Sequence, residues 1–500
     1  MPSSRKRPPV DRGDESQSST TRLLTPLSAL TARSSIIVGG VAAVCVFLLI
    51  VGPAAAGNGL TLSKQPRDTL SIPKWLYLMT GSAAIGASAL LASFVTDRFF
   101  IQRLERYHRH LIAEHSWIRV LRRVTQLLGV SILILVLYVG YTGPSLPTSN
   151  LAILVTFAGA RAGLPILAYL VGNAWSALNP WHTIVTVVPS GFLKYPDSWH
   201  RWPAVVGVLL LVWVELIFPI STVPGTLVAV IAVYSVVTIS GGIIFGPKSW
   251  FKNADPWSVL FRFFGTAAPV YRDNNGIGLR LPASALTDSD FLEDLSDIAF
   301  IIALIWELTF SGFITTQTGA TVIETIVTVV PSVGLAVEYI AVPVYTLLLI
   351  GGYLVFFYAY WYASQLSRRW TRTYIDSTEI AFRFAPPLIA IAAGYHFAHY
   401  AELFVTLAPA LATGLLSPLS PPANPTVLSI PAWFDGLKIA AVLIGHLLAV
   451  FTAHGVAYNT FSSRMVAIRS QYPFVLVMIG YTAVSLWILS LTGAIPPYLS

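Results

Sequence analysis

Cysteine is almost absent from this chain of 500 residues, which has Cys45 as its one thiol. A single cysteine cannot form an intrachain disulfide or a metal site built on several thiolates. The sequence also lacks a Walker A loop, a nucleophile elbow and an HExxH motif. Nucleotide hydrolysis and the common protease and lipase chemistries therefore have no support, and we expect no nucleotide cofactor.

Charged residues are scarce as well: they make up 11% of the chain, whereas hydrophobic residues make up 55%. A soluble globular domain carries about 25% charged residues. With a mean hydropathy of +0.69, this composition excludes a soluble fold. We expect an all-α polytopic membrane protein whose main partner is the lipid bilayer, because lipid offers no hydrogen-bond partners to an open backbone.

Eleven apolar stretches are long enough to span a bilayer, which takes roughly 17–25 residues. They lie near 36–56, 74–96, 125–142, 150–171, 203–220, 225–245, 296–314, 339–362, 384–406, 434–456 and 473–492. The sequence therefore predicts about eleven transmembrane helices.

Lysine and arginine are unevenly placed between alternate loops. If the N-terminus is cytoplasmic, the inner segments hold 26 of the 31 Lys and Arg residues and the outer segments hold four. By the positive-inside rule this distribution predicts a multi-pass protein of the cell membrane with its N-terminus inside and its C-terminus outside. The net charge of +8 is then topogenic, and no nucleic-acid partner is expected.

The N-terminal part is predicted to differ from the rest. Residues 1–33 are rich in Ser, Thr, Arg and Pro and are expected to form a disordered cytoplasmic tail. Residues 34–56 are either the first transmembrane helix or a signal peptide. Residues 57–500 would form the polytopic membrane domain, and the basic segment 98–123 within it is expected to be a surface helix.

The middle of the chain contains a possible direct repeat, with units at about 150–220 and 225–314. In the first unit Asn179-Pro180-Trp181 follows a span, and in the second Asp255-Pro256-Trp257 does so. Two helices per unit would make the copies parallel. The Asn or Asp is expected to cap a new helix, and the tryptophans suit the headgroup layer. The turns are either simple interfacial turns or a gate or docking face.

Four histidines lie inside two apolar segments: His396 and His399 in 384–406, and His446 and His454 in 434–456. Small residues at four-residue spacing, such as Gly394 and Gly445 with their neighbours, allow the two helices to approach closely. His396, His399 and His446 fall at similar depth, and Glu402 continues the row. Zinc or copper would suit such a set. The alternatives are a proton relay and structural hydrogen bonding between helices.

Two further carboxylates, Glu215 and Glu307, are predicted to lie within the membrane, where ionisable residues are functional candidates. They are interpreted as metal ligands or as members of a proton relay, together with His454. Arg161, in the fourth span, is their most obvious countercharge.

The chain resembles a family of polytopic membrane proteins of actinobacteria and haloarchaea, many of which are described by similarity as the membrane subunit of fenitrothion hydrolase. The resemblance covers most of residues 50–495 and is carried by residues 70–76, 172–173, 179–181, 214–216, 394–400, 445–446 and 453–454. Where relatives tend to carry Phe-Asp-Gly, this chain has Phe310-Ser311-Gly312, with Glu307 one turn earlier. The resemblance implies a hetero-oligomeric hydrolase with extracytoplasmic partner subunits.

Three functions remain open at this point. The first is the membrane subunit of a multi-component metal-dependent hydrolase. The second is a proton- or metal-coupled transporter or permease, which the parallel repeat and the intramembrane carboxylates favour. The third is a non-catalytic membrane scaffold. Whether the protein is an enzyme is thus left undecided by the sequence.

Overall fold

A computed structural model describes residues 74–94, 97, 99, 103, 107–112, 116–273, 276–329 and 337–499. These residues belong to the second of two compact units, Pro53–Ser500. The predicted tail 1–33, the first predicted span and Cys45 lie outside the described residues, so the choice between a retained helix and a signal peptide stays open.

The described chain is mainly helical. Its helices, in chain order, are α1 Lys74–Phe94, α2 Ser116–Thr142, α3 Leu151–Leu170, α4 Trp175–Leu178, α5 Pro180–Thr186, α6 Trp202–Ile217, α7 Pro224–Phe245, α8 Pro247–Asn253, α9 Pro256–Ala267, α10 Leu295–Ile314, α11 Gln317–Val329, α12 Val337–Thr371, α13 Ser377–Phe384, α14 Pro387–Leu416, α15 Trp433–Thr460 and α16 Arg464–Leu489. Short 3₁₀ turns at Pro147–Ser149, Asp197–Trp199 and Ser284–Thr287 join some of them.

Eight of the described helices, α2, α3, α7, α10, α12, α14, α15 and α16, contain segments long and apolar enough to cross a membrane. Two shorter apolar segments, Gly81–Ala92 and Trp202–Ile217, coincide with two more of the predicted spans. The fold fits a multi-pass integral membrane protein, as the composition predicts. The total of eleven spans and the orientation of the termini stay predictions.

A small antiparallel sheet departs from the purely helical expectation. Its strands are β1 His108–Ile112, β2 Val270–Asp273 and β3 Gly276–Arg280, in the order β1-β3-β2. The predicted surface helix over 98–123 is therefore wrong at 108–112, and α2 begins only at Ser116. The reason is tertiary: the β2–β3 hairpin, which is distant in sequence, offers backbone hydrogen-bond partners to β1.

Helix α10 lies at the centre of the described fold. Along the most apolar stretch of α10, 89% of the residues are buried inside the protein, whereas the corresponding share is 28% in α2 and 28% in α7. A capping box formed by Asp294 and Asp297 starts α10. The helix packs against α6, α12, α14 and α16, so its side chains face protein on nearly all sides. Glu307 on α10 is accordingly buried.

Helices α14 and α15, which carry the four histidines, approach each other closely, as the small-residue spacing predicts. A Cβ atom added at Gly394 would lie 2.5 Å from the carbonyl oxygen of Ala441 and 3.0 Å from the Cα atom of Gly445. Only a residue without a side chain permits this backbone-to-backbone contact. The crossing fixes the rotation of both helices and therefore the direction of each histidine.

Candidate functional site: a buried charge cluster beside a cavity

Arg161 lies in an irregular segment in the middle of α3. Residues Leu154–Gly163 form a π-helix, and at its end the Leu164 N–H bonds to the carbonyl of Gly159. Pro165 has no N–H, so the carbonyl of Arg161 lacks the donor that an α-helix would supply. Wide-turn segments of this kind occur frequently at functional sites. Pro165 is thus the local sequence feature that removes the α-helical donor of the Arg161 carbonyl at mid-helix.

The Arg161 side chain joins two carboxylates from different helices. Its Nη2 atom lies 3.2 Å from Oε2 of Glu215, on α6, and also forms an ion pair with Oε1 of Glu307, on α10. The exposed fractions of these three side chains are 11%, 9% and 3%. Arg161 thus contacts both of the glutamates for which the sequence suggests it as a countercharge, and their role as ligands or in a proton relay stays a prediction. One guanidinium carries one positive charge, so two ionised glutamates leave the cluster with an excess of one negative charge.

Tyr400 on α14 completes this cluster. Its hydroxyl donates to Oε1 of Glu307 at 3.4 Å, and its ring lies under the Arg161 guanidinium at 5.0 Å. Because buried charges need partners that stay in place, the tyrosine stabilises the pair from the side of α14.

His396 contacts the same cluster through the backbone rather than through its charges. Its Nε2 lies 3.1 Å from the carbonyl oxygen of Arg161, and its Nδ1 lies 3.3 Å from the hydroxyl of Tyr169. A carbonyl only accepts, so Nε2 carries the proton and donates it. In the neutral ring, Nδ1 then accepts from Tyr169. Both ring nitrogens of His396 are thus used within the protein.

The other predicted ligands have partners of their own. His446 bonds through Nδ1 to the carbonyl of Val442 at 2.8 Å, and His454 bonds through Nδ1 to Oε1 of Gln471 at 3.2 Å. Glu402 forms an ion pair with Nζ of Lys438 at 2.7 Å. His399 lies edge-on to Tyr400, with 4.9 Å between the ring centroids.

Within the described residues, no group of three or more His, Cys, Asp and Glu side chains is arranged to hold a metal ion. His396 would have to give up one of its hydrogen bonds, and Glu402 its lysine, before either could bind a cation. The metal site stays a prediction from the sequence.

A cavity of about 630 Å³ adjoins the charge cluster. Its lining is mostly apolar and comes from α2, α3, α4, α5, α6, α7, α9 and α14. Arg161 and Glu215 line the cavity, whereas Glu307 does not belong to the wall. Trp175, Trp181 and Trp257 also line it, and they come from the two turns predicted to repeat.

The two turns cap their helices as the sequence predicts. The side chain of Asn179 accepts from the His182 N–H at 2.9 Å, and the side chain of Asp255 accepts from the Ser258 N–H at 2.9 Å. Asn179 also donates from Nδ2 to the hydroxyl of Ser258 at 3.0 Å, so the turns contact each other directly. Burial raises the pKa of Asp255, and its bonds to Ser258 and to the Tyr234 hydroxyl oppose this rise.

Trp175 and Trp181 pack inside the protein, and the expectation that the tryptophans of the turns lie at the depth of the headgroups stays a prediction. Trp181 donates from Nε1 to the hydroxyl of Ser235 at 2.8 Å, and Trp175 stacks on Phe261 with 4.8 Å between ring centroids. Trp175 and Trp181 have exposed fractions of 7% and 9%. The turns therefore form one wall of the cavity. The wider parallel repeat stays a prediction.

Two buried donors beside the cavity lack an acceptor in the described part of the chain: Nε1 of Trp175 and Nε of Arg161. Leaving a buried N–H without a partner costs about 1–3 kcal/mol.

Sequence reasoning missed three contributors: Tyr169, Tyr400 and Lys438. Tyr400 follows His399 directly, and Lys438 falls within the predicted span 434–456. Lys438 is in fact buried, with an exposed fraction of 6%. Its place inside an apolar run was the available signal, since a lysine there needs a carboxylate partner.

Comparison of the chain with protein-family models, with curated proteins and with solved structures gives no match.

Proposed function

We propose that this integral membrane protein is a proton-coupled transporter or permease. The observation that carries the proposal is the placement of Arg161 between Glu215 and Glu307, next to a cavity of about 630 Å³. Ionisable residues at bilayer depth are costly, and in membrane proteins they commonly mark ion and proton pathways. A cavity of this size is within the range of small-molecule sites.

Two carboxylates that share one guanidinium provide a place for one exchangeable proton. With both glutamates ionised, the cluster has an excess negative charge, and one proton removes it. In a medium of low polarity such an excess is expensive, so the cluster either takes up a proton or attracts a cation. A carrier that couples substrate movement to protons requires two such states, one with a bound proton and one with a bound cation.

The helix that holds the arginine also suits movement. Ten residues of α3 are π-helical, and a change to α-helical winding would turn each following residue by a large angle about the axis, since one residue corresponds to about 100°. Such a change would draw the Arg161 side chain away from its partners. The segment thus offers an internal means of opening and closing the cluster.

The test is a flux measurement in proteoliposomes. The purified protein is reconstituted with a pH-sensitive dye inside, an inside-acid gradient is imposed, and lipid-soluble anions, cations and neutral compounds are added in turn. We expect one class to dissipate the gradient with the wild-type protein and not with Glu307→Gln. Glu402→Gln is the matched control, because Glu402 is also an ion-paired glutamate, half-buried on α14, but does not line the cavity.

Failure of every compound class to dissipate the gradient would contradict the proposal, as would full activity of Glu307→Gln. The hydrolase subunit with extracytoplasmic partners rests on the resemblance of motifs, and the scaffold on composition. The hydrogen bonds of His396, His446 and His454 favour neither function, and a measurement of metal content addresses the hydrolase.

A further inference from the structure

The residues that line the cavity indicate the chemistry of the ligand that it would bind. Nearly all of its lining is apolar, with Arg161 and Glu215 as its charged residues. Three tryptophans also line the cavity, and the ring centroid of Trp175 lies 6.0 Å from that of Trp181 and 6.4 Å from that of Trp257. Indole faces attract cations as well as apolar groups. A molecule with an apolar body and a localised positive charge would find a complementary surface for each part.

The net charge of the Arg161–Glu215–Glu307 cluster determines which sign of charge the preferred ligand carries. Arg161 contributes one positive charge, and Glu215 and Glu307 contribute two negative charges when ionised. A monovalent cation in the cavity restores neutrality, whereas an anion would increase the excess. A proton on the cluster has the same effect as the cation, so the two compete for a single charge.

The exposed parts of the lining show how a ligand reaches the cavity. Leu167, Leu170 and Leu415 line it, and their exposed fractions are 40%, 53% and 43%. All three lie on helices α3 and α14, which are long and apolar enough to cross a membrane. An apolar rim on such helices is open to molecules dissolved in the hydrocarbon, and excludes strongly hydrated ones.

We propose that the cavity binds lipophilic monocations, either amines or quaternary cations with an apolar body, in exchange for a proton on the Glu215–Glu307 pair. This inference rests on the proposed transport function and adds the substrate class. The cation lies against Glu215, and the apolar body lies against the apolar and aromatic lining. The ligand enters from the lipid side.

The experiment measures equilibrium binding to the purified full-length protein with tetraphenylphosphonium and tetraphenylborate. The two ions have similar size and apolar faces but opposite charge. We expect saturable phosphonium binding at least about tenfold tighter than borate binding, and tighter as the pH rises because the competing proton leaves. Equal binding of both ions, or phosphonium binding that weakens as the pH rises, would overturn the proposal.

Single variants distinguish the effect of the cluster's charge on binding from an effect of misfolding. Glu215→Gln and Glu307→Gln each make the cluster neutral, so the preference for phosphonium over borate should disappear in both. Glu402→Gln should retain it. If the Gln variants fail to fold, Glu215→Asp keeps the charge and should keep the preference. Ala160→Phe fills the cavity and should weaken both ions; phosphonium binding that survives this change would place the site elsewhere and overturn the proposal.

The two proposals can fail separately. If phosphonium does not bind but another class of compound dissipates the pH gradient, transport stands and the substrate class is wrong. If phosphonium binds in the predicted way but no compound moves protons, the cavity is a cation site and the transport function is wrong.

Discussion

The imidazole of His396 donates from Nε2 to the main-chain carbonyl of Arg161, which lies 3.1 Å away on another helix. The carbonyl is available because Pro165 cannot supply an N–H to it. His396, which the sequence predicts to be a metal ligand, thus supplies a hydrogen bond to the Arg161 carbonyl in place of the one that Pro165 cannot form. Its second nitrogen is occupied by Tyr169.

His396→Leu should lower stability, because it leaves the carbonyl of Arg161 and the hydroxyl of Tyr169 buried without a partner. The expected loss is about 1–3 kcal/mol of unfolding free energy. His396→Gln retains an N–H donor and an acceptor and should lose less. Thermal unfolding in detergent, followed by tryptophan fluorescence, measures the difference. Equal stability of the Leu and Gln variants would contradict the structural role.

Metal content tests the hydrolase interpretation that the sequence suggests. Because the two nitrogens of His396 and the carboxylate of Glu402 have protein partners, we expect purified protein to contain zinc and copper at well below one ion per chain. Elemental analysis of the wild type beside the double variant His396→Ala/His399→Ala is the measurement. Near-stoichiometric metal that is lost in the variant would support the metalloenzyme instead.

Removal of the shared arginine should be strongly destabilising. Arg161→Leu leaves Glu215 and Glu307 buried without their countercharge, and breaking a buried ion pair costs about 3–5 kcal/mol. Arg161→Leu/Glu307→Gln should recover part of this loss, since one of the two unpaired carboxylates is then uncharged. A double-mutant cycle on unfolding free energies gives the coupling. Additive losses would show that Arg161 and Glu307 do not stabilise each other.

The close crossing of α14 and α15 should not tolerate a side chain at its centre. A Cβ atom at Gly445 would lie 2.6 Å from the carbonyl oxygen of Ala390, so Gly445→Ala should cost about 1–3 kcal/mol through overpacking. Gly436, in the same helix, has no atom within 4 Å of an added Cβ. Gly436→Ala is therefore the matched control and should be neutral or stabilising. Equal effects of the two changes on thermal unfolding would contradict the crossing.

The sequence by itself determined the features that depend on local chemistry. Apolar run length located ten helices that the described structure contains, and Asn179 and Asp255 were identified as caps from the Pro that follows each of them. The sequence also predicted the close crossing of α14 and α15 from its glycines, because close approach of two helices requires small residues at four-residue spacing. Arg161 was recognisable as the partner of the glutamates, since a buried charge needs a countercharge.

The tertiary structure decided which polar groups meet. Residues on a helix turn by about 100° for each position, so a shift of one residue directs a side chain to another neighbour. The π-helical winding around Arg161, the pairing of Glu402 with Lys438 and the separate bonds of the histidines depend on such rotations. The cavity likewise arises from side chains of eight helices. Hydropathy locates a helix in the membrane, but only packing fixes its rotation and depth.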